Sequence, residues 1–242
     1  MATPEDRFLT HSSGEIPLLE HLLAHRLFSV LPKVVLVGLT EKFEERQYRK
    51  GHYIYRVGDT PDFLFMVRAG LVLLTRSDVE GRPHALIAYY PNDIVGLSAL
   101  VLGHRRTAVA CALVDTTALL LDRDTFLYLY RNIPELADRV TQELYRSLSR
   151  SRDLAMRFTQ TPTSCRVASF LLEYSANTVS RNGDRLRFDL DLSHQDIALL
   201  LGTSRETVTR VFANLSRRGL IGTDDRQMVI LKPDELQRLA QT

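Results

Sequence analysis

The chain has 242 residues, 45% hydrophobic and 25% charged, a balance that supports a sizeable core and excludes a disordered or fibrous polypeptide. Its formal net charge of +2 neither demands nor excludes a polyanionic partner, so local clusters of charge must decide. Two cysteines, Cys111 and Cys165, are too few for a disulfide framework, a four-cysteine zinc site or an iron–sulfur cluster held by this chain alone. The opening MATPEDRFLTHSSGE is polar and acidic, unlike a secretory signal, and LPKVVLVGL falls short of the roughly 20 apolar residues of a membrane span. A cytoplasmic protein without a membrane partner is expected.

Residues 1–14 carry little apolar material and are expected to be flexible. From Ile16 to Leu31, Leu18, Leu19, Leu22, Leu23, Leu27 and Phe28 predict an amphipathic helix ending near Pro32. His21 and His25 sit one helical turn apart, but no acidic or cysteine partner accompanies them, so a solvated pair is expected rather than a metal site. After Glu41 the short runs HYIYRV, DFLFMVRA, LVLLTR, HALIAYY, TAVACAL and TALLLD alternate with turn residues such as Gly58-Asp59 and Pro91-Asn92-Asp93. Strands punctuated about every 8–12 residues predict an all-β sandwich or barrel. Between two of them, SDVEGRPH reads as an exposed hairpin loop.

From Asp124 the apolar period becomes helical: Ile133, Leu136, Val140, Leu144, Leu148, then Leu154, Ala155 and Phe158. A helix of roughly 25 residues with so narrow a stripe suits a two-helix seam, and Leu136, Val140, Leu144, Leu148 and Leu154 are its candidate residues. Packing onto its own barrel would also explain the stripe. Thr161-Pro162 ends this helix and starts the next, a natural hinge. Beyond it, CRVASFLLEYSANT reads as a helix, RNGDRLRFDLDL as an Asn-Gly turn and strand, and GLIGTDDRQMVILK as two short strands. With two helices between these strands, residues 161–242 form a winged helix-turn-helix domain, closed by PDELQRLA.

The two helices lie within LSHQDIALLLGTSRETVTRVFANLSRR, residues 192–218. Ala198, Gly202, Val208 and Val211 fall where the motif needs a small residue, a turn glycine and two packing residues. Ser204 should cap the second helix. At 100° per residue, Val208, Val211, Phe212 and Leu215 face the core, while Arg205, Glu206, Thr209, Arg210 and Arg217 face outward. Arginine donates twice to guanine and glutamate accepts from cytosine, so Arg205, Glu206 and Arg210 are the candidate base readers. Arg217, Arg218, His194, Gln195, Ser204, Thr207 and Thr209 are candidates for the phosphate backbone of double-stranded DNA. A surface ion pair from Glu206 to Arg210 is the alternative use of these charges.

From about Leu27 to Leu231 the chain resembles the Crp/Fnr family of bacterial transcription regulators, on LFSVLP, YRVGDTPDFLFMVRAG, PNDIVGLSAL, GHRRTAVACA and the helix-turn-helix stretch. SRETVTR matches the recognition helix of the cyclic-AMP receptor branch, whose base-reading Arg, Glu and Arg correspond to Arg205, Glu206 and Arg210. The resemblance implies an α+β fold: an N-terminal cyclic-nucleotide-binding-like β-barrel (a double-stranded β-helix or jelly roll), a long dimerisation helix and the C-terminal winged helix-turn-helix. It divides the chain into a sensor at 15–130, a dimerisation helix and hinge at 131–160, and the DNA-binding domain at 161–242. It also implies a homodimer on palindromic TGTGA-like sites, with RNA polymerase as a further partner. The N-terminal cysteines of the Fnr branch's iron–sulfur cluster are absent here.

In the family's cyclic-nucleotide binders a Gly-Glu-Leu motif holds the ribose and an Arg-Ser/Thr-Ala motif the cyclic phosphate. The second survives as Arg106-Thr107-Ala108; the first reads Val95-Gly96-Leu97-Ser98, with Leu97 in place of the glutamate and a spacing to Arg106 one residue shorter. A ribose hydroxyl buried without its acceptor loses about 1–3 kcal/mol, which disfavours cyclic AMP. Gly96, Leu97, Ser98, Arg106 and Thr107 are the candidate effector pocket, and the effector's identity stays open: an anionic metabolite, another nucleotide, a gas-binding haem on His52, His84 or His104, or none. The chain could alternatively be a cyclic-nucleotide-binding regulatory subunit of an enzyme, or a DNA-binding regulator without an effector. No Gly-rich phosphate loop, HExxH or nucleophile elbow points to an enzyme, so no catalytic residue and no metal ligand is assigned.

Overall fold

The computed structural model describes residues 17–178, 180–182 and 185–241; the expected flexible segment 1–14 and the glycine of the expected Asn-Gly turn lie outside them. Two helices, α1 (Leu18–Ala24) and α2 (Lys33–Thr40), lead into eight strands: β1 (Glu44–Tyr48), β2 (Tyr53–Tyr55), β3 (Phe63–Ala69), β4 (Val72–Ser77), β5 (Pro83–Tyr89), β6 (Ile94–Val95), β7 (Val109–Ala112) and β8 (Thr116–Asp122). A short helix α3 (Leu97–Leu102) interrupts them between β6 and β7. They form two antiparallel four-stranded sheets, β1-β8-β3-β6 and β2-β7-β4-β5, facing each other as a jelly-roll barrel.

Strand alternation explains why these runs are apolar throughout. In β3, Phe65 and Val67 point into the barrel with Tyr55, Val72 and Leu120, while Leu64 and Met66 point outward beneath the helices. That outer layer is covered by α1, α2, α4 (Arg123–Asn132) and the start of α5 (Pro134–Gln160). Asp122 caps α4 by accepting the amide of Thr125 at 2.8 Å, and Pro134 opens α5, where a missing N–H costs nothing.

The expected helix over 16–31 is shorter than its apolar pattern: α1 stops at Ala24. His25 turns inward instead, its Nδ1 accepting the amide of Leu27 at 3.1 Å and its Nε2 meeting the carbonyl of Asn92 at 3.0 Å. Leu27 and Phe28 still reach the core, but through turns. With both ring nitrogens engaged, His25 is not half of a solvated pair.

Beyond Thr161, α6 (Thr163–Thr178) leads to β9 (Ser180–Asn182) and β10 (Arg185–Phe188), then α7 (His194–Leu201), α8 (Arg205–Arg217), β11 (Ile221–Asp224), β12 (Gln227–Ile230) and α9 (Pro233–Ala240). The strands form one antiparallel sheet, β11-β12-β10-β9, with Asp225 and Arg226 at positive φ in the β11–β12 turn. This is a winged helix-turn-helix head. One apolar cluster runs from Leu71, Leu73 and Leu113 of the barrel into Ile197, Val208 and Leu215 of the head, so the two are packed together.

Candidate nucleic-acid interface and effector cavity

The two helices of the helix-turn-helix, α7 and α8, are both closed at their N-termini by side-chain caps. Ser193 accepts the amide of Asp196 at 3.1 Å while Asp196 accepts the amide of Ser193 at 2.9 Å, a reciprocal capping box on α7. Although burial alone would raise it, the Lys50 ammonium and the Ser193 donors hold the Asp196 carboxyl below its usual range. Gly202 ends α7 at φ +59, and a Cβ there would lie 3.0 Å from the Phe158 ring, so the turn needs glycine for conformation and for space. Ser204 then caps α8 through the amide of Thr207 at 3.2 Å.

On α8, Val208 and Leu215 are fully buried, Phe212 nearly so, and Val211 packs against the same cluster. Arg205, Glu206, Thr209 and Arg210 are exposed in its first two turns. No ion pair joins Glu206 to Arg210 among the described residues; Arg210 Nη2 donates instead to the Thr207 hydroxyl at 3.3 Å. The Glu206 carboxyl is held below its usual range by its own amide at the helix start, then by the Ser204 hydroxyl. The surface-pair alternative is therefore not realised.

The expected phosphate candidates divide. Arg217, Arg218 and Gln195 are exposed at opposite ends of the helix pair. His194 is half-buried, meets the Thr209 hydroxyl at 2.8 Å and lies over Phe212, so it also braces α7 against α8. The hydroxyl of Thr209 donates to the carbonyl of Arg205 besides meeting His194, and those of Ser204 and Thr207 bond each other at 3.0 Å, so all three are engaged within the helix pair.

A cavity of about 490 Å³ opens between the barrel and α5. Gly96, Leu97, Ser98, Arg106 and Thr107 all line it, so the barrel brings the five expected pocket residues together. Arg106 is 2% exposed and spans the barrel mouth, with Nη1 donating to the carbonyl of Gly96 at 2.5 Å and Nη2 to that of Phe63 at 3.0 Å. It lies 4.4 Å over the Tyr55 ring. Gly96, at φ +73, leaves the room: a Cβ there would stand 2.2 Å from Arg106 Nη1. Leu97 is buried in the layer beneath the helices and offers no acceptor, while Ser98 and Thr107 are exposed. His52, His84 and His104 do not line the cavity, and His84 is engaged by Asp78 at 2.9 Å.

The far wall is α5, and a charge network ties it to the barrel. Arg150 donates to Asp93 at 2.6 Å, Arg26 bridges Asp93 and Glu143 at 2.6 Å each, and Arg146 donates to Glu143 at 2.5 Å. Burial, countered by a bond from Ser147, pushes the Tyr89 hydroxyl up. Further along α5, Phe158 lines this cavity, packs on Gly202 and lies under the Arg166 guanidinium. Arg166 in turn donates to the carbonyl of Leu201 at 2.5 Å. Lys50 of the barrel adds a second link, to Asp196 at 2.9 Å and the carbonyl of Asp191 at 2.7 Å.

Residues 45–132 match the family description "Cyclic nucleotide-binding domain", and residues 165–239 match "Crp-like helix-turn-helix domain". The cyclic AMP receptor protein of Thermus thermophilus is 32% identical over 179 residues, covering 74% of this chain and 80% of that protein. The chain belongs to the Crp/Fnr family of transcription regulators. A CRP-like cAMP-activated global transcriptional regulator of Mycobacterium tuberculosis is 27% identical over 214 residues, 88% of this Crp/Fnr chain and 96% of its own. Among solved structures, FixK2 from Bradyrhizobium japonicum superposes with a TM-score of 0.72 at 26% identity, covering 81% of this chain and 96% of that one. Regulators of this family pair an effector-binding domain with a DNA-binding helix-turn-helix and act as dimers, typically on TGTGA sites; they are not enzymes. Among the described residues no helix is long and apolar enough to cross a membrane.

The α5 stripe expected as one dimer seam splits in two in this Crp/Fnr chain. Leu136 is 0% and Val140 1% exposed within a single protomer, buried in the layer over β3 and β8, and Leu144 packs half-buried beside them. Leu136 and Val140 are thus core residues of the barrel, not seam residues. Leu154 is half-buried at the cavity wall, and Leu148, though exposed, lines it too. The open apolar surface of α5 is carried by Tyr145, Leu148 and Met156, of which only Leu148 was expected. Glu143, Ser147, Arg150 and Phe158 were missed as cavity residues, although their helical spacing places them on one face of α5.

Proposed function

We propose that this Crp/Fnr regulator is a cytoplasmic homodimer that reads palindromic TGTGA-like sites with Arg205, Glu206 and Arg210. The observation that carries this reading is that all three stand exposed in the first turns of a capped helix, and among the described residues neither arginine forms an ion pair with Glu206. Arg217, Arg218, Gln195 and His194 hold phosphates on either side. Residues 15–130 act as sensor, 131–160 as dimerisation helix and hinge, and 161–242 as reader. RNA polymerase is the partner through which a promoter-bound dimer acts.

A ligand in the cavity between barrel and α5 controls the reader. Support comes from a shared wall: Phe158 borders the cavity and bears on Gly202 at the turn between α7 and α8. A ligand that favours one setting of α5 shifts the head between two arrangements. Cyclic AMP, named for the Mycobacterium and Thermus relatives, finds Leu97 instead of an acceptor in this chain. Fluorescence anisotropy on a TGTGA duplex at fixed salt tests the reading function. Arg205→Ala should weaken the cognate site by about 1–3 kcal/mol and relax one base position. Equal weakening on every sequence would remove Arg205 from the base readers.

A further inference from the structure

Arg106 is a buried cation at the mouth of the barrel. Its two terminal nitrogens are spent on backbone carbonyls, no carboxylate among the described residues pairs with it, and its Nε–H is buried without an acceptor. Burial shifts its proton affinity downward, opposed first by the adjacent Tyr55 and then by Asp62, Asp59 and Tyr89, none of which is ion-paired or hydrogen-bonded to it through its side chain among the described residues. Such a charge is costly unless something supplies its partner. Arg150, on the opposite wall, has a second buried Nε without an acceptor, although its Nη1 is bound to Asp93.

Between these two arginines the walls are largely apolar, with Ile87 and Leu97 from the barrel side and Leu144, Leu148 and Leu154 from α5. Glu143 is the only carboxylate among the described lining residues, and it is already bonded by Arg26 and Arg146. The cavity therefore offers a guanidinium on each of two facing walls, apolar surface between them, and no free carboxylate among the described lining residues to hold a ribose; its other polar groups are hydroxyls, among them Tyr55, Ser98, Thr107 and Ser151. Its volume of about 490 Å³ suits a small organic molecule.

We propose that the cavity takes an organic carboxylate on an apolar aryl or medium-length alkyl body, rather than a cyclic nucleotide. This rests on the reading of the cavity as the control site. The carboxylate is the missing counter-ion of Arg106 and accepts its Nε–H, a charge-assisted bond. The body lies between the barrel and the inner face of α5, where apolar contact needs no polar partner.

Isothermal titration of the full-length dimer with octanoate, phenylacetate, octanamide and cyclic AMP tests the proposal, with operator anisotropy run in parallel. At least one carboxylate should bind saturably, once per protomer, with octanamide at least about tenfold weaker. Arg106→Gln should weaken carboxylate binding by about tenfold or more and leave octanamide within about threefold, with folding checked by circular dichroism. Ser151→Phe, at a half-buried wall position on α5, fills the cavity without touching the barrel core and should abolish binding of every probe. Three results overturn the proposal: cyclic AMP binding more tightly than both carboxylates, octanamide matching octanoate, or neither carboxylate binding. If cyclic AMP then still moves operator affinity, control from this cavity stands and only the ligand class falls. If no probe binds and operator affinity never changes, both fall.

Discussion

Replacing Leu136 with alanine separates the two roles that the apolar stripe of α5 could have. Leu136 is 0% exposed in one protomer and shares a cluster with Phe28, Leu64 and Phe126. Truncating a fully buried leucine loses its transfer free energy and leaves a cavity, together about 2–5 kcal/mol. Alanine's better helix propensity returns only tenths of a kcal/mol. Leu148, 48% exposed, has much less to lose in a single protomer, roughly 1 kcal/mol on burial area alone. Urea unfolding followed by far-ultraviolet circular dichroism, with all variants at one protein concentration, gives the stability loss. Sedimentation equilibrium without denaturant gives the dimer dissociation constant. Leu136→Ala should lower the unfolding midpoint and leave dimer dissociation within about threefold, whereas Leu148→Ala should weaken the dimer while costing the protomer little. A loss below about 1 kcal/mol for Leu136→Ala, together with more than tenfold weaker dimerisation, would refute its placement in the core.

Two further predictions concern a buried histidine and the helix-turn-helix turn. Burial first, and then the neighbouring His21 and Arg26, hold His25 down at about pKa 4 against 6.5 when exposed, despite its bond to Asn92. The unfolded chain therefore binds the extra proton first, so stability falls as pH drops from about 6.5 to 4, by up to about 3 kcal/mol. His25→Gln should be less stable at pH 7 yet show a flatter loss toward pH 4.5 in urea titrations; an unchanged slope would mean His25 is not the titrating group. Gly202→Ala places a methyl 3.0 Å from Phe158 at φ +59 and should destabilise the protein by about 1–3 kcal/mol. Adding Phe158→Ala should recover the contact part and leave the backbone part, giving a coupling of at least about 0.5 kcal/mol in a double-mutant cycle.

Much of the reader was legible because its signals are local. A cap serine, a turn glycine and a stripe of valine, phenylalanine and leucine are decided within one or two helical turns, so Ser204, Gly202 and Val208 stand where the pattern put them. The same local rules failed where a distant group competed. The pattern over 16–31 is helical, but the carbonyl of Asn92 and the amide of Leu27 draw His25 inward and end α1 early. Leu136, Val140 and Leu148 share one periodicity, and no local rule tells a residue under the protomer's own sheet from one on an open face.

By itself the sequence determined which residues of α8 face inward and outward and that the N-terminal half is built of strands, and its resemblance to the family's cyclic-nucleotide binders set Arg106 and Leu97 at the two positions that hold phosphate and ribose there. Only the tertiary structure decided what those two do. Arg106 is turned into the barrel mouth because Gly96 leaves room for it and two carbonyls receive it. Tertiary structure also set α5 as a wall of the cavity and Phe158 as its contact with the head. The physical reason is range: helix caps and faces arise from neighbours within a few residues, whereas a buried charge is defined by groups ten to forty-three positions away that meet only on folding.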